Sequence, residues 1–122
     1  MQPITSISDR LIYLLKNKEF VKALTELFSE DVVSIDPLNP APGGIKGLGV
    51  LIERERDFLT KVSILNLDIS EAIHAGNYFS ISLFMNFIMN GRKMILDELC
   101  IYKVCEGKII SQQFFIADAP LE

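Results

Sequence analysis

The chain has 122 residues, with 12 Lys or Arg against 16 Asp or Glu and a net charge of −4. That length predicts one domain over residues 1–122, and a 49% apolar share is enough to fill its core without a metal or disulfide staple. The mildly acidic balance, the lack of a Lys/Arg cluster and the lack of any apolar run of ~18 residues exclude a nucleic-acid surface, a polybasic anchor and a helical membrane span.

Residues Met1 to Arg10 do not have the charged-then-apolar layout of a signal peptide, so a cytoplasmic location is expected. Ile4, Ile7, Leu11, Leu14 and Leu15 recur at helical spacing, and Ser6-x-x-Asp9 has the form of a capping box, which predicts a first helix over roughly 6–16. Phe20, Val21, Leu24, Leu27 and Phe28 repeat the period in a second helix, closed by Ser29-Glu30-Asp31. Val32 to Asp36 reads as a short strand stopped by Pro37, and Pro40, Pro42, Gly43, Gly44 and Gly47 mark the irregular loop that follows. Leu48, Leu51, Ile52, Phe58 and Leu59 form the apolar side of a third helix, with the charge run Glu53 to Asp57 expected on its solvated side.

From Val62 the period changes to two: Leu65, Leu67, Ile69 and Ile73 alternate with Asn66, Asp68 and Ser70. Turn signals at Ala75-Gly76-Asn77, Asn90-Gly91 and Glu106-Gly107 divide the rest into strands over roughly 62–74, 77–89, 92–104 and 108–117. The predicted class is α+β, with three N-terminal helices packed on an antiparallel four-stranded sheet plus one short strand. Cys100 and Cys105, five apart along one strand, point to opposite faces and are expected to be reduced.

This order of elements, together with Leu27 to Pro37, the stretch from Gly47 to Phe58, Gly91-Arg92-Lys93 and Glu106 to Ile110, resembles the nuclear transport factor 2-like superfamily, in its ketosteroid isomerase and SnoaL-like polyketide cyclase branch. The resemblance implies a cystatin-like cone, in which the helices cross the concave face of a curved sheet and leave a deep apolar pocket. It also implies a proton-shuttling carboxylate at the end of the first strand, where Asp36 stands. In the isomerases such a base works with a tyrosine and a protonated aspartate as oxyanion donors. Counted without gaps, that tyrosine falls on Ile12, with Tyr13 about 100° further round the helix, and that aspartate falls on Cys100. The arginine of the Asp-Arg-Asp relay in limonene-epoxide-hydrolase-like members has no evident counterpart.

With Cys100 set toward that pocket, strand parity brings Glu98 and Tyr102 to it as well, together with Leu83, Met85 and Phe87 from the preceding strand and Gln112, Phe114 and Ile116 from the last. Each apolar member of these stripes is equally a core residue by periodicity alone. Asp36 has two readings, a general base on a carbonyl compound and a turn residue that hydrogen-bonds nearby amides. Glu98 reads as a second acid or base or as a rim carboxylate, Tyr102 as a phenol donor or a core aromatic, and Cys100 as a weak donor or plain core. The lone His74 has no metal-binding companions and is expected at the surface or rim, no metal or cofactor is expected, and the Pro42 to Gly49 run matches neither glycine fingerprint for phosphate.

The opposite sheet face carries Phe84, Ile95, Leu99, Ile101 and Phe115, too apolar a set for water, and a homodimer through it is expected. Two functions stay open. One is a cofactor-independent isomerase or cyclase in which Asp36 shuttles a proton on a small apolar carbonyl compound, assisted by Tyr102 and Glu98. The other is a non-catalytic dimeric module that binds a small apolar molecule or serves as a partner subunit.

Overall fold

Three helices, α1 (Ile4–Lys16), α2 (Phe20–Leu27) and α3 (Leu48–Lys61), pack on a single sheet in the computed structural model, which describes residues 2–38 and 41–117. Seven strands make the sheet: β1 (Phe28–Ile35), β2 (Ile45–Lys46), β3 (Val62–Ile69), β4 (Ile73–Ala75), β5 (Tyr78–Met89), β6 (Arg92–Cys105) and β7 (Lys108–Ile116). Their order is β2-β1-β7-β6-β5-β3, with β4 beside β5, and all pairs are antiparallel except β1 with β7. The α+β expectation holds, but the sheet is not four-stranded.

Three local causes account for the difference. Phe28 is buried and pairs with Ile109, so the chain leaves α2 directly into β1, and Ser29-Glu30-Asp31 lies within the strand, where the register shifts, instead of closing the helix. The loop expected to be irregular after β1 pairs back on it, Ile45 against Ser34 and Lys46 against Val33, which adds β2. The strand expected over 62–74 is interrupted at Ser70, whose Oγ accepts the Ser82 N–H at 2.8 Å in place of a backbone carbonyl; the chain pairs again only at Ile73.

In α1, Ile7, Leu11, Leu14 and Leu15 are buried on one side, as the spacing predicts. The helix starts earlier than expected, behind Pro3, and has no side-chain cap, so Ser6 and Asp9 lie inside it and form no capping box. Arg10 clasps Glu26 of α2 through two hydrogen bonds of 2.7 and 2.9 Å, which fixes the two helices to each other at the surface. In β3 a register shift between Ile64 and Asn66 turns Leu65 outward, while Leu67 and Ile69 keep the helix-facing side. The turns at Asn90-Gly91 and Glu106-Gly107 each hold two successive residues at positive φ, the primed geometry that matches strand twist. Pro40 of the predicted loop lies outside the described residues, as do Met1, Asn39 and residues 118–122.

The inner sheet face forms rows across the strands. Ser34, Gln112, Tyr102 and Phe79 are register partners in one row, and Phe114, Cys100 and Ile81 in the next. Phe79 stacks on Tyr102 with ring centres 4.9 Å apart, and Phe28 meets the same ring edge-on at 6.2 Å. This aromatic trio closes the floor at one end, and the α-helices span the sheet beyond it.

Candidate functional site

Between the helices and the inner sheet face lies a cavity of about 280 Å³. Its walls come from Leu11 and Leu15 of α1, Phe20 and Leu24 of α2, Leu51 and Phe58 of α3, and Leu83, Met85, Leu96 and Phe114 of the sheet. Seven polar residues reach it: Ser34, Asp36, Arg54, Glu55, Glu98, Tyr102 and Gln112.

Asp36, Glu98 and Tyr102, expected at the site, are therefore brought to one cavity, with Leu83, Met85, Gln112 and Phe114. Four other expected wall residues lie elsewhere. Ile12 is half-buried on α1, turned about 100° from Leu11, and packs against the core. Phe87 is covered by Phe58, whose ring meets it at 5.8 Å. Cys100 is fully buried and does not line the cavity. Ile116, near the end of β7, lines a neighbouring cleft that shares Asp36 and Phe114 with the main cavity. Tyr13 is exposed, with Arg10 over its ring, so Tyr102 is the phenol at the site. His74 is at the surface as expected, its Nε2 2.8 Å from the Ser8 hydroxyl.

Glu98, Cys100 and Tyr102 alternate along β6 and so share its inner side. Cys100 Sγ donates to Glu98 Oε1 at 3.5 Å. Burial holds the phenol and the thiol protonated, each pushed well above its ordinary range. The Glu98 carboxyl is pushed up to about 7, chiefly because the surrounding side chains leave its charge poorly solvated. The thiol hydrogen bond opposes that shift, and the negative charges of Asp36 and Glu55 add to it. Glu55 is itself pushed up by burial. Asp36, at the end of β1, is half-buried, and its Oδ1 accepts the Leu38 N–H at 2.9 Å, the turn contact expected of an Asp before Pro.

Three polar residues of the site were not expected there. Glu55 sits in the charge run assigned to solvent, yet it is four residues after Leu51 and three before Phe58, so the apolar stripe of α3 carries it inward. Arg54, beside it and exposed, also lines the cavity. Ser34 shares strand parity with Val32 and Asp36, a signal present in the sequence, and its Oγ accepts a hydrogen bond from Gln112 Nε2 at 2.9 Å. No group of three or more His, Cys, Asp or Glu side chains among the described residues has the geometry of a metal site.

A family model for the SnoaL-like domain matches residues 3–116. The chain belongs to the SnoaL-like family. Solved structures agree on the SnoaL-like fold. A candidate SnoaL-like polyketide cyclase from Mesorhizobium loti superposes with a TM-score of 0.86 at 18% identity, covering 93% of this chain and 99% of that one. An epoxide hydrolase of the limonene-epoxide-hydrolase-like type from M. tuberculosis superposes at 0.73 and 14% identity, covering 94% and 86%. A hypothetical protein of ketosteroid isomerase-like fold from Catenulispora acidiphila, in complex with trimethylamine, superposes at 0.62 and 18% identity, covering 78% and 73%. The comparison with curated proteins gave no match. At these identities the structural likeness establishes the fold, and a SnoaL-like fold hosts several chemistries.

Proposed function

We propose that this SnoaL-like protein catalyses cofactor-independent proton transfer on a small apolar carbonyl compound, an isomerase- or cyclase-type reaction in which Asp36 accepts the proton and Glu98 returns it. The observation that carries this reading is the placement of two carboxyls, Asp36 and Glu98, on the wall of one largely hydrocarbon cavity. A carboxyl near its midpoint at neutral pH gives up and takes back protons at little cost, which is what a general acid–base group needs. Glu98 meets that condition through burial, and Asp36 sits where the isomerases of the superfamily carry their base.

The test is hydrogen–deuterium exchange at the activated carbon of 2-tetralone in D₂O, followed by proton NMR. Wild-type protein should accelerate exchange, Asp36→Asn should remove about 10²–10⁴-fold of the acceleration, and Glu98→Gln should cost less. Exchange no faster than in buffer, or equal in wild type and Asp36→Asn, overturns it. One observation favours the binding-module reading, the Asp36–Leu38 contact, which gives Asp36 a reason to be present without catalysis. Under that reading 2-tetralone binds, and no variant changes its exchange.

A second copy of the chain is the proposed cover for the outer sheet face. Ile95 is 67% exposed, Leu99 44% and Phe115 49%, and Leu99 and Phe115 are register partners, so their side chains form one continuous patch beside the half-buried Phe84 and Ile101. No helix among the described residues is long and apolar enough to cross a membrane. Cytoplasmic location remains part of the proposal and accords with the free thiols of Cys100 and Cys105.

A further inference from the structure

We infer that Ser34, held by Gln112, is the hydrogen-bond donor that grips the carbonyl oxygen of the substrate, so that the cavity selects apolar ketones over hydrocarbons of the same shape. This deepens the proton-transfer reading and rests on it for the catalytic half of its consequences.

Ser34 is only 3% exposed, yet it lines the cavity, as does its register partner Gln112 across the parallel pair β1 and β7. A hydroxyl has one hydrogen to give and two lone pairs to receive. Gln112 Nε2 occupies one lone pair at 2.9 Å, and among the described residues no protein group accepts the Ser34 hydrogen. Turning the amide by 180° exchanges the roles: Ser34 then donates to Gln112 Oε1, and the Gln112 amide keeps its own N–H groups to give. The arrangement found here, with Gln112 donating, is the one that leaves the Ser34 hydrogen unspent at the cavity wall.

Asp36, Glu55 and Glu98 are acceptors when ionised, and the other donors that line the cavity are the Tyr102 phenol and Arg54, which belongs to the exposed charge run of α3. The two positions at which isomerases of the superfamily carry their oxyanion donors hold Ile12 and Cys100 here, and neither reaches the cavity. Ser34 fills the vacant role from another strand. It also has suitable spacing: Ser34 and Asp36 are alternate residues of one strand direction, about 6.6 Å apart along it. That span accommodates a carbonyl oxygen hydrogen-bonded at one end and an adjacent C–H directed to a carboxylate at the other.

The step balances without a co-reactant. The C–H bond next to the carbonyl breaks, its proton passing to the Asp36 carboxylate and its electron pair into the enolate, whose oxygen keeps the Ser34 hydrogen bond. Protonated Glu98 then gives a proton to carbon, the new C–H bond forms, and the carbonyl is restored. Exchange with solvent returns the two carboxyls to their starting states. Gln112 acts through Ser34 and is a positioning residue.

The test uses 2-tetralone carrying ¹³C at its carbonyl, with tetralin as the same skeleton without the oxygen. Wild-type protein should bind 2-tetralone in preference to tetralin, and the bound carbonyl signal should move downfield as its oxygen accepts a hydrogen bond. Ser34→Ala should weaken 2-tetralone binding about 3- to 10-fold, leave tetralin binding unchanged, and abolish most of the downfield shift. Unchanged tetralin binding shows that the variant is folded. Gln112→Leu should reduce the shift in part, because the hydroxyl loses its anchor. Exchange should slow by as much as ~10²–10³-fold in Ser34→Ala, the effect of removing one oxyanion donor. A wild-type protein that binds both compounds equally or binds neither overturns the inference, and so does a Ser34→Ala carbonyl shift equal to wild type. If the shift depends on Ser34 while wild-type protein catalyses no exchange, the assignment of the donor stands and the proton-transfer reading alone falls.

Discussion

Cys100 Sγ donates to Glu98 Oε1 at 3.5 Å, so a buried thiol draws down the proton affinity that burial raises in the carboxyl two residues away. Removing the thiol in Cys100→Ala should raise the Glu98 midpoint further, because the ionised form loses its donor. Asp36→Asn and Glu55→Gln should lower it, since each removes a repelling negative charge. Carboxyl ¹³C titration by NMR measures all four proteins. A wild-type Glu98 midpoint near ~4.3, the ordinary glutamate value, contradicts this account of the site.

The same shift predicts how stability responds to pH. The folded Glu98 carboxyl binds its proton more tightly than in the unfolded chain, so between its ordinary midpoint and about 7 the folded state holds more protons, and stability falls as pH rises through that window. Allowing for its partial exposure, the penalty at pH 8 is on the order of 2 kcal/mol. Glu98→Gln should therefore flatten the profile and be more stable than wild type at pH 8. Urea denaturation at pH 5 and pH 8 gives the comparison, and parallel losses in both proteins would refute it.

Tyr102→Phe keeps the ring that stacks on Phe79 at 4.9 Å and meets Phe28 edge-on, and loses only the hydroxyl. The expected destabilisation is no more than about 0.5–1.5 kcal/mol, the worth of one hydrogen bond. Any exchange activity on 2-tetralone should fall less than in Asp36→Asn, because a single donor contributes less than the base. Thermal unfolding and the exchange assay together check both halves.

Leu99→Arg or Ile101→Arg should convert a dimer into monomer or aggregate, since each places a charge within the outer apolar patch. Sedimentation equilibrium decides the matter. A wild-type protein that is monomeric at micromolar concentration removes the second copy from the account.

Gly44 holds a φ of +85° and lies so close to β1 that an added Cβ would stand 2.9 Å from both the Ser34 carbonyl oxygen and a Val33 methyl. Gly44→Ala should therefore destabilise the protein and displace the backbone of Ser34, disturbing the cavity without changing any group that faces it. Lower thermal stability together with weaker 2-tetralone binding is the expected pair of effects. Wild-type stability would show that the loop yields freely.

Much of this SnoaL-like protein was determined by its sequence. The 3.6 period in α1, α2 and α3, the alternation along β5 and the positive-φ turns at Asn90-Gly91 and Glu106-Gly107 follow from local rules, because each depends on neighbours within one turn or one pair of residues. The same parity brought Asp36, Glu98, Tyr102 and Gln112 to the cavity. Tertiary structure decided the remainder. Whether the chain at Phe28 continued a helix or began a strand depended on Ile109, far along the chain, which offers its backbone in parallel. Whether Glu55 faced solvent depended on the sheet to which α3 tilts its apolar stripe. Whether Cys100 was inert depended on Glu98, two residues away on the same strand face, whose carboxyl accepts its thiol hydrogen bond. Proton affinity and donor supply are properties of assembled surroundings, and burial sets both only once strands and helices from the whole chain have closed around the cavity.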